Sequence, residues 1–229
     1  MKRPRVDPVL IALLLAAGLF ALGSLLQPGF GSYDQAMNIL RLAAFLGIVA
    51  AGQTLVIISG GEGIDLSVGA VVTLGAILVF RLGTGEAGGA LLALAIALGV
   101  GLLIGAANGL GITLLKIPPL VMTLGMAGVV QGLILVVTRG ELRGETPDLL
   151  AGLVSGSLAF GIPGVVLVWA ALGLLMWLLL WRTPYGRQLF AVGANRTTAR
   201  LSGVRVPAVV VATYALSGML AALGGAILL

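Results

Sequence analysis

Apolar residues in this chain come in long unbroken runs. They do not follow the 3.6-residue spacing of a surface helix or the alternation of a half-buried strand. Residues 9–26 carry no charge, and residues 42–58, 120–138, 163–181 and 208–229 repeat the theme. Each is near the roughly 20 residues that a helix needs to cross about 30 Å of hydrocarbon. Two runs are irregular. Residues 66–80 would make a helix of only about 22 Å. Residues 87–115 are long for one untilted crossing, and Asn108-Gly109 is a candidate helix end inside them. The pattern predicts an all-α polytopic membrane helix bundle of about seven transmembrane helices. It forms a single domain over residues 1–229.

Between the runs lie polar breaks. Residues 27–35 contain Pro28, Gly29 and Gly31 and read as a short outer loop before the crossing at 42–58. Residues 59–65 (SGGEGID) form a turn, Lys116-Ile117-Pro118-Pro119 another, and residues 149–162 an outer interfacial segment. A cleaved signal peptide is the alternative for the first run, since Ala21-Leu22-Gly23 loosely resembles a cleavage site. An uncleaved helix entering from the cytoplasm fits the flanking charges better.

Composition sharpens the class. Hydrophobic residues make up 59% and charged residues 9%, with a mean hydropathy of +1.18. These are values of an integral membrane protein. The net charge of +5 would suggest nucleic acid, but the positions of the charges follow membrane topology instead. With the N-terminus inside, seven crossings put Lys2, Arg3, Arg5, Lys116 and Arg182, Arg187, Arg196, Arg200 and Arg205 on the inner side. Arg41, Arg81, Arg139 and Arg143 fall outside with Asp34, Glu86, Glu141, Glu145 and Asp148. That is the asymmetry of the positive-inside rule. There is no Cys and no His, which rules out disulfides, Cys/His metal sites and His- or Cys-based catalysis. No metal and no cofactor is expected.

Residues 182–207 form an inner loop with five arginines and no acid. Thr183 before Pro184 reads as an N-cap with proline at the first helical position. Gly193 can close that helix in the left-handed conformation, Asn195 is a second N-cap, and Gly203 a second closing glycine. Two short helices follow, over about 184–192 and 196–202. Such helices are marginal alone, and Leu189, Phe190, Val192, Leu201 and Val204 need cover. The protein's own membrane helices, the headgroup layer or a cytoplasmic partner could supply it.

TPYGRQLFAVGANRTTARLSGVRV in this loop, YALSGMLAALGG after it, GIDLSVGA at 63–70 and PPLVMTLGM at 118–126 stand in one order. Over residues from about 36 to 229 the chain resembles the permease subunits of bacterial ABC importers of the ribose/simple-sugar (branched-chain amino acid/ribose permease) family. The resemblance implies a permease that moves a sugar or sugar-like solute across the inner membrane. It also implies cytoplasmic ABC ATPase subunits, a second permease subunit and an extracytoplasmic solute-binding protein as partners. The ATPase would meet the loop at 182–207, and Gly186, Arg187, Gly193, Asn195, Arg196, Ala199, Arg200 and Gly203 are the coupling candidates. Members of the family run to about 300 residues with about ten crossings, so the chain is expected to lack about the last third. They commonly lack the extra Glu62-Gly63.

No G-x-x-x-x-G-K-[ST] is present; the two lysines, Lys2 and Lys116, stand in other contexts. ATP hydrolysis is therefore expected on another polypeptide. Asp65, Ser67, Asn108, Thr123 and Ser217 are the translocation-path candidates, among the polar span residues Gln53, Thr54, Thr73, Gln131 and Thr213. Singly, each also reads as interhelical glue. Glu62 and Asp65 have two readings. In one, Asp65 caps the helix from Leu66 in a solvated turn; in the other, the turn enters the membrane beside the pathway. The stripes Gly101/Gly105/Gly109 and Gly125/Gly128/Gly132 read as packing surfaces. A secondary transporter or channel without an ATPase is the competing function. A membrane enzyme is disfavoured, with only carboxylate chemistry at Asp65 open to it.

Overall fold

The computed structural model describes residues 7–83, 87–156 and 161–228. Lys2, Arg3, Arg5, Glu86 and Leu229 lie outside the described residues. Every regular element among those described is helical. The helices are α1 (Pro8–Leu26), α2 (Tyr33–Ile58), α3 (Val68–Leu82), α4 (Ala87–Thr113), α5 (Pro119–Thr138), α6 (Asp148–Ser155), α7 (Gly164–Arg182), α8 (Pro184–Ala194), α9 (Arg196–Leu201) and α10 (Val206–Ile227). Six of these (α1, α2, α4, α5, α7 and α10) are long and apolar enough to cross a membrane, and α3 is apolar but shorter.

The chain divides into a stretch up to Leu42 and a larger unit from Ala43 onward. In the first, Asp7 caps α1 by accepting from Val9 N at 2.9 Å, and Phe20 meets Phe30 with ring centroids 5.6 Å apart. None of the residues of α1 is buried. The polar break after it is shorter than the sequence implies. Helix α2 begins at Tyr33, because Asp34 sits favourably in its first turn and Gln35 N bonds the Ser32 hydroxyl.

In the larger unit α10 is the hub, with 61% of its span buried. Small residues let its neighbours approach to backbone contact. A Cβ on Gly109 would sit 2.6 Å from the Val211 Cα, and one on Gly75 2.8 Å from the Ala222 Cα. The Gly101/Gly105/Gly109 stripe thus beds α4 on α10. This corrects the reading of Asn108-Gly109 as a helix end. Packing on Val211 and the bond from Asn108 to Ser67 carry α4 on to Thr113. The other stripe behaves differently: nothing lies within 4 Å of a Cβ at Gly125, Gly128 or Gly132.

The sidedness of the unit is internally consistent. Arg196 of α9 bonds the Gly60 carbonyl just before α3, and Glu145 N bonds the Phe80 carbonyl near the end of α3. So α3 runs from the loop layer holding α8 and α9 to the layer holding residues 139–147. Its fifteen residues connect the two layers. The first layer holds Lys116, Arg182, Arg187, Arg196, Arg200 and Arg205 against Glu62 and Asp65. The second balances Arg81, Arg139 and Arg143 with Glu141, Glu145 and Asp148.

Candidate functional site

Two short helices open the site. Thr183 caps α8 by accepting from Gly186 N at 3.2 Å, and its own hydroxyl donates to the Leu179 carbonyl. Asn195 caps α9 by accepting from Thr198 N at 2.9 Å. Gly203 ends the loop at φ +85°. Gly193 does not have the left-handed conformation. Helix α8 continues to Ala194 and is closed by Asn195 in extended conformation at φ −163°. Gly193 is small for another reason: the Ile58 carbonyl of α2 lies where its Cβ would be.

The apolar residues of the loop divide. Leu189, Val192 and Ala199 are buried with Leu55, Val56, Ile112, Val209 and Tyr214 from α2, α4 and α10. Their cover is the chain itself. Phe190 remains 40% and Leu201 83% exposed, with Phe190 beside Trp181. Of the coupling candidates, Gly186 and Ala199 are buried, Gly193 and Arg196 half-buried, and Arg187, Asn195, Arg200 and Gly203 exposed. The Tyr185 hydroxyl on α8 lies 2.8 Å from the Thr213 hydroxyl. Thr213 gives its own proton to the Val209 carbonyl, so Tyr185 is the donor. Burial pushes the Tyr185 hydroxyl up from its ordinary value, and the bond to Thr213 opposes that.

Below this loop lies a buried polar cluster. The turn at residues 59–67 places Asp65 at 3% exposure. Its Oδ1 accepts from Ser67 N at 3.0 Å and from the Ser67 hydroxyl at 2.6 Å. Its Oδ2 accepts from the Ser217 hydroxyl of α10 at 3.3 Å. Asn108 of α4 donates to Ser67 Oγ at 2.9 Å. Gln53 of α2 donates to the Asp65 carbonyl and Tyr214 of α10 to the Ile64 carbonyl, each at 3.2 Å. The turn, α2, α4 and α10 therefore meet around Asp65, with Ser67 and Ser217 on the carboxylate itself. Burial pushes that carboxyl up, opposed by the bonds from Ser67 and Ser217.

Asp65 does not cap α3. The helix starts at Val68 after Ser67, and Asp65 folds its own turn back on Ser67 while Glu62 is exposed. The capping reading therefore fails for Asp65, which is buried, while Glu62 stands in the open as that reading expected. Four of the path candidates, Asp65, Ser67, Asn108 and Ser217, come together. Thr123 does not: it is buried on α5 and its hydroxyl donates to the Pro119 carbonyl in its own helix. All five are buried. The exposed polar span residues are Thr54, Thr73 and Gln131. Thr73 and Gln131 share a groove of about 430 Å³ along α3 and α5 with Gly69, Ala70, Ile134 and Leu135. Tyr214 was not among the sequence candidates. Its signal was available, since it is the one aromatic residue of α10 and a buried tyrosine hydroxyl needs a partner.

Comparison with known proteins adds a family. Residues 35–229 match the model described as the permease component of the branched-chain amino acid transport system. The chain is 38% identical over 233 residues to the ribose import permease protein of Bacillus subtilis (strain 168), covering 99% of the chain and 71% of that protein. It is 35% identical over 235 residues to the fructose import permease protein of Rhizobium meliloti (97% and 62%). It is 37% identical over 234 residues to the galactofuranose transporter permease protein of Escherichia coli (strain K12) (98% and 66%). The chain spans about two thirds of the length of these relatives. No solved structure matches it significantly.

Proposed function

The chain belongs to the family of branched-chain amino acid transport system permease components, and from that premise we propose that it is the membrane-spanning subunit of an ATP-driven importer for a sugar or sugar-like solute. It is a multi-pass membrane protein, and ATP hydrolysis belongs to a separate subunit. The relatives named for ribose, fructose and galactofuranose support the solute class. The inner membrane is supported by a relative from Escherichia coli (strain K12) named an inner membrane ABC transporter permease protein. The N-terminus faces the cytoplasm in this reading, because that orientation puts the arginine-rich loop layer inside.

One observation carries the proposal. Helices α8 and α9 are fixed to the bundle by Leu189, Val192 and Ala199. Yet they leave Arg187, Arg200, Phe190 and Leu201 bare on the far side, with no acid among them. A positively charged rim around exposed apolar side chains suits a protein partner with an acidic groove, here the ATPase. Arg187 and Arg200 meet that partner. Gly186, Gly193, Asn195 and Gly203 shape the two helices. Closure of two ATPases against a pair of permease subunits would displace α8 and α9 and switch the access of a central passage. The polar surface open to that passage is Thr73 and Gln131. Hydrogen-bonding groups without charge suit a neutral polyhydroxylated solute, which a solute-binding protein would deliver from outside.

The test is Arg187→Glu. Membrane insertion is expected to stay intact while co-purification of the ATPase encoded with the chain falls at least tenfold. Unchanged association overturns the docking role.

A further inference from the structure

Arg196 stands apart from the other arginines of its loop. Arg187 and Arg200 are exposed, whereas Arg196 is half-buried and its Nη2 donates to the Gly60 carbonyl at 3.1 Å. It reaches back into its own chain across 136 residues.

The strip it grips is short and stiff. Gly60, Gly61 and Glu62 all hold left-handed backbone, at φ +63°, +61° and +61°. Gly63 N closes the turn on the Gly60 carbonyl at 3.1 Å, and the Ser59 hydroxyl anchors its start on the Val56 carbonyl at 2.7 Å. Gly60 also abuts α8, where an added Cβ would stand 2.7 Å from the Gly193 carbonyl oxygen. The pair α8–α9 therefore both presses on this strip, through Gly193, and pulls on it, through Arg196.

The other end of the strip is held as firmly. Ile64 is tied to Tyr214, the Asp65 backbone to Gln53, and the Asp65 carboxylate to Ser67 and Ser217. Asn108 joins through Ser67. Eight residues after the carbonyl that Arg196 grips, the chain enters the first turn of α3, the helix whose outer face carries Thr73.

Resting on the docking role given to α8 and α9, we propose that Arg196 is a transmission residue. Through the Gly60 carbonyl it passes displacement of the docking helices to the 59–67 turn, and so to the Asp65 cluster and α3. Arg196 does not contact the ATPase. The direct bond from Tyr185 to Thr213 links α8 to α10 alone and leaves the turn to Arg196 and Gly193.

The chain has no cysteine, so one spin label can be placed on it cleanly before it is combined with its ATPase. Leu66, 41% exposed beside Asp65, is the reporter as Leu66→Cys, in the complex then formed with that ATPase. Mg-ATP with vanadate is expected to change the label's spectrum. In the Arg196→Gln background the ATPase should remain bound within twofold, while the spectral change falls below a quarter. Arg196→Lys, which keeps the charge and can still reach a carbonyl, should retain at least half. Arg205→Gln, at an exposed arginine of the same loop to which no partner contact is assigned, should retain all of it. A spectral change of undiminished size in Arg196→Gln overturns the proposal. So does loss of the ATPase from that variant, which would make Arg196 a partner contact. If the unsubstituted complex carries no ATPase at all, the docking role itself falls and takes this proposal with it.

Discussion

Replacing Asp65 by alanine strands the donors that its carboxylate collects. Ser217 can turn its hydroxyl onto its own helix. The Ser67 N–H and hydroxyl, at 3.0 and 2.6 Å from Oδ1, lose their acceptor, and the Ser67 hydroxyl is already occupied as an acceptor for Asn108. A buried donor left unpaired costs about 1–3 kcal/mol, so Asp65→Ala should destabilise the chain by about 2–5 kcal/mol. For a chain of this size that lowers Tm by roughly 4–20 °C. Asp65→Asn keeps an acceptor at Oδ1 and removes a charge that burial disfavours, so it should stay within about 1 kcal/mol. The pH dependence has a definite sign. The buried carboxyl holds its proton more tightly than it does near its ordinary value of 3.8 in the unfolded chain. The penalty is absent below that value. It grows as pH rises through the window between the unfolded and folded values, then levels off. Thermal unfolding of the purified chain in detergent, at one scan rate from pH 3.5 to 7.5, checks both points. Asp65→Asn should flatten the slope that the unsubstituted chain shows. If the asparagine variant melts as low as the alanine variant, the charge rather than the acceptor pattern holds the cluster, and the reasoning fails.

Three other outcomes follow from the same packing. Gly105→Leu would drive a side chain into the backbone of α10 at Tyr214 and Ala215 and should destabilise by at least about 1–3 kcal/mol. Gly128→Leu, facing open space, should change Tm of the isolated chain little; equal losses would mean α4 and α10 are not in backbone contact. Thr73→Cys and Gln131→Cys in membrane vesicles should react with a charged thiol reagent, while Leu175→Cys on the apolar face of α7 should not. Uniform protection would place the groove against lipid. Arg187→Glu should reduce ATPase recovery without reducing the amount of chain in the membrane, as measured by pull-down against total membrane protein.

Most of the architecture is written in runs of apolar residues, because a helix in lipid must satisfy its backbone internally and so must be long and unbroken. That constraint makes the spans readable and fails at their ends. The start of α2 at Tyr33 depends on caps a few residues long, and Asp34, Gln35 and Asn38 look like loop by composition. Proximity across the bundle was even less accessible. Ser67, Asn108 and Ser217 carry no periodic signature that pairs them, and only the meeting of α4 and α10 along a glycine stripe gathers them around Asp65. The caps Thr183 and Asn195 were legible because they act locally, on N–H groups three residues away.

The same contrast explains Arg196. In sequence it is one of five like charges on a loop, and the positive-inside rule treats them alike. In the fold, α9 has six residues, so residues on different faces meet very different surroundings within one turn or two. Arg200 faces outward, whereas Arg196 lies against Gly60, where the absence of two side chains at Gly60 and Gly61 leaves room for a guanidinium beside a carbonyl. A left-handed glycine pair and a planar, multi-donor cation are complementary in shape as well as polarity. Neither member announces the other at a separation of 136 residues. Local rules therefore identified the loop and its caps. The division of its arginines between partner and protein interior depends on a contact that only the folded chain creates.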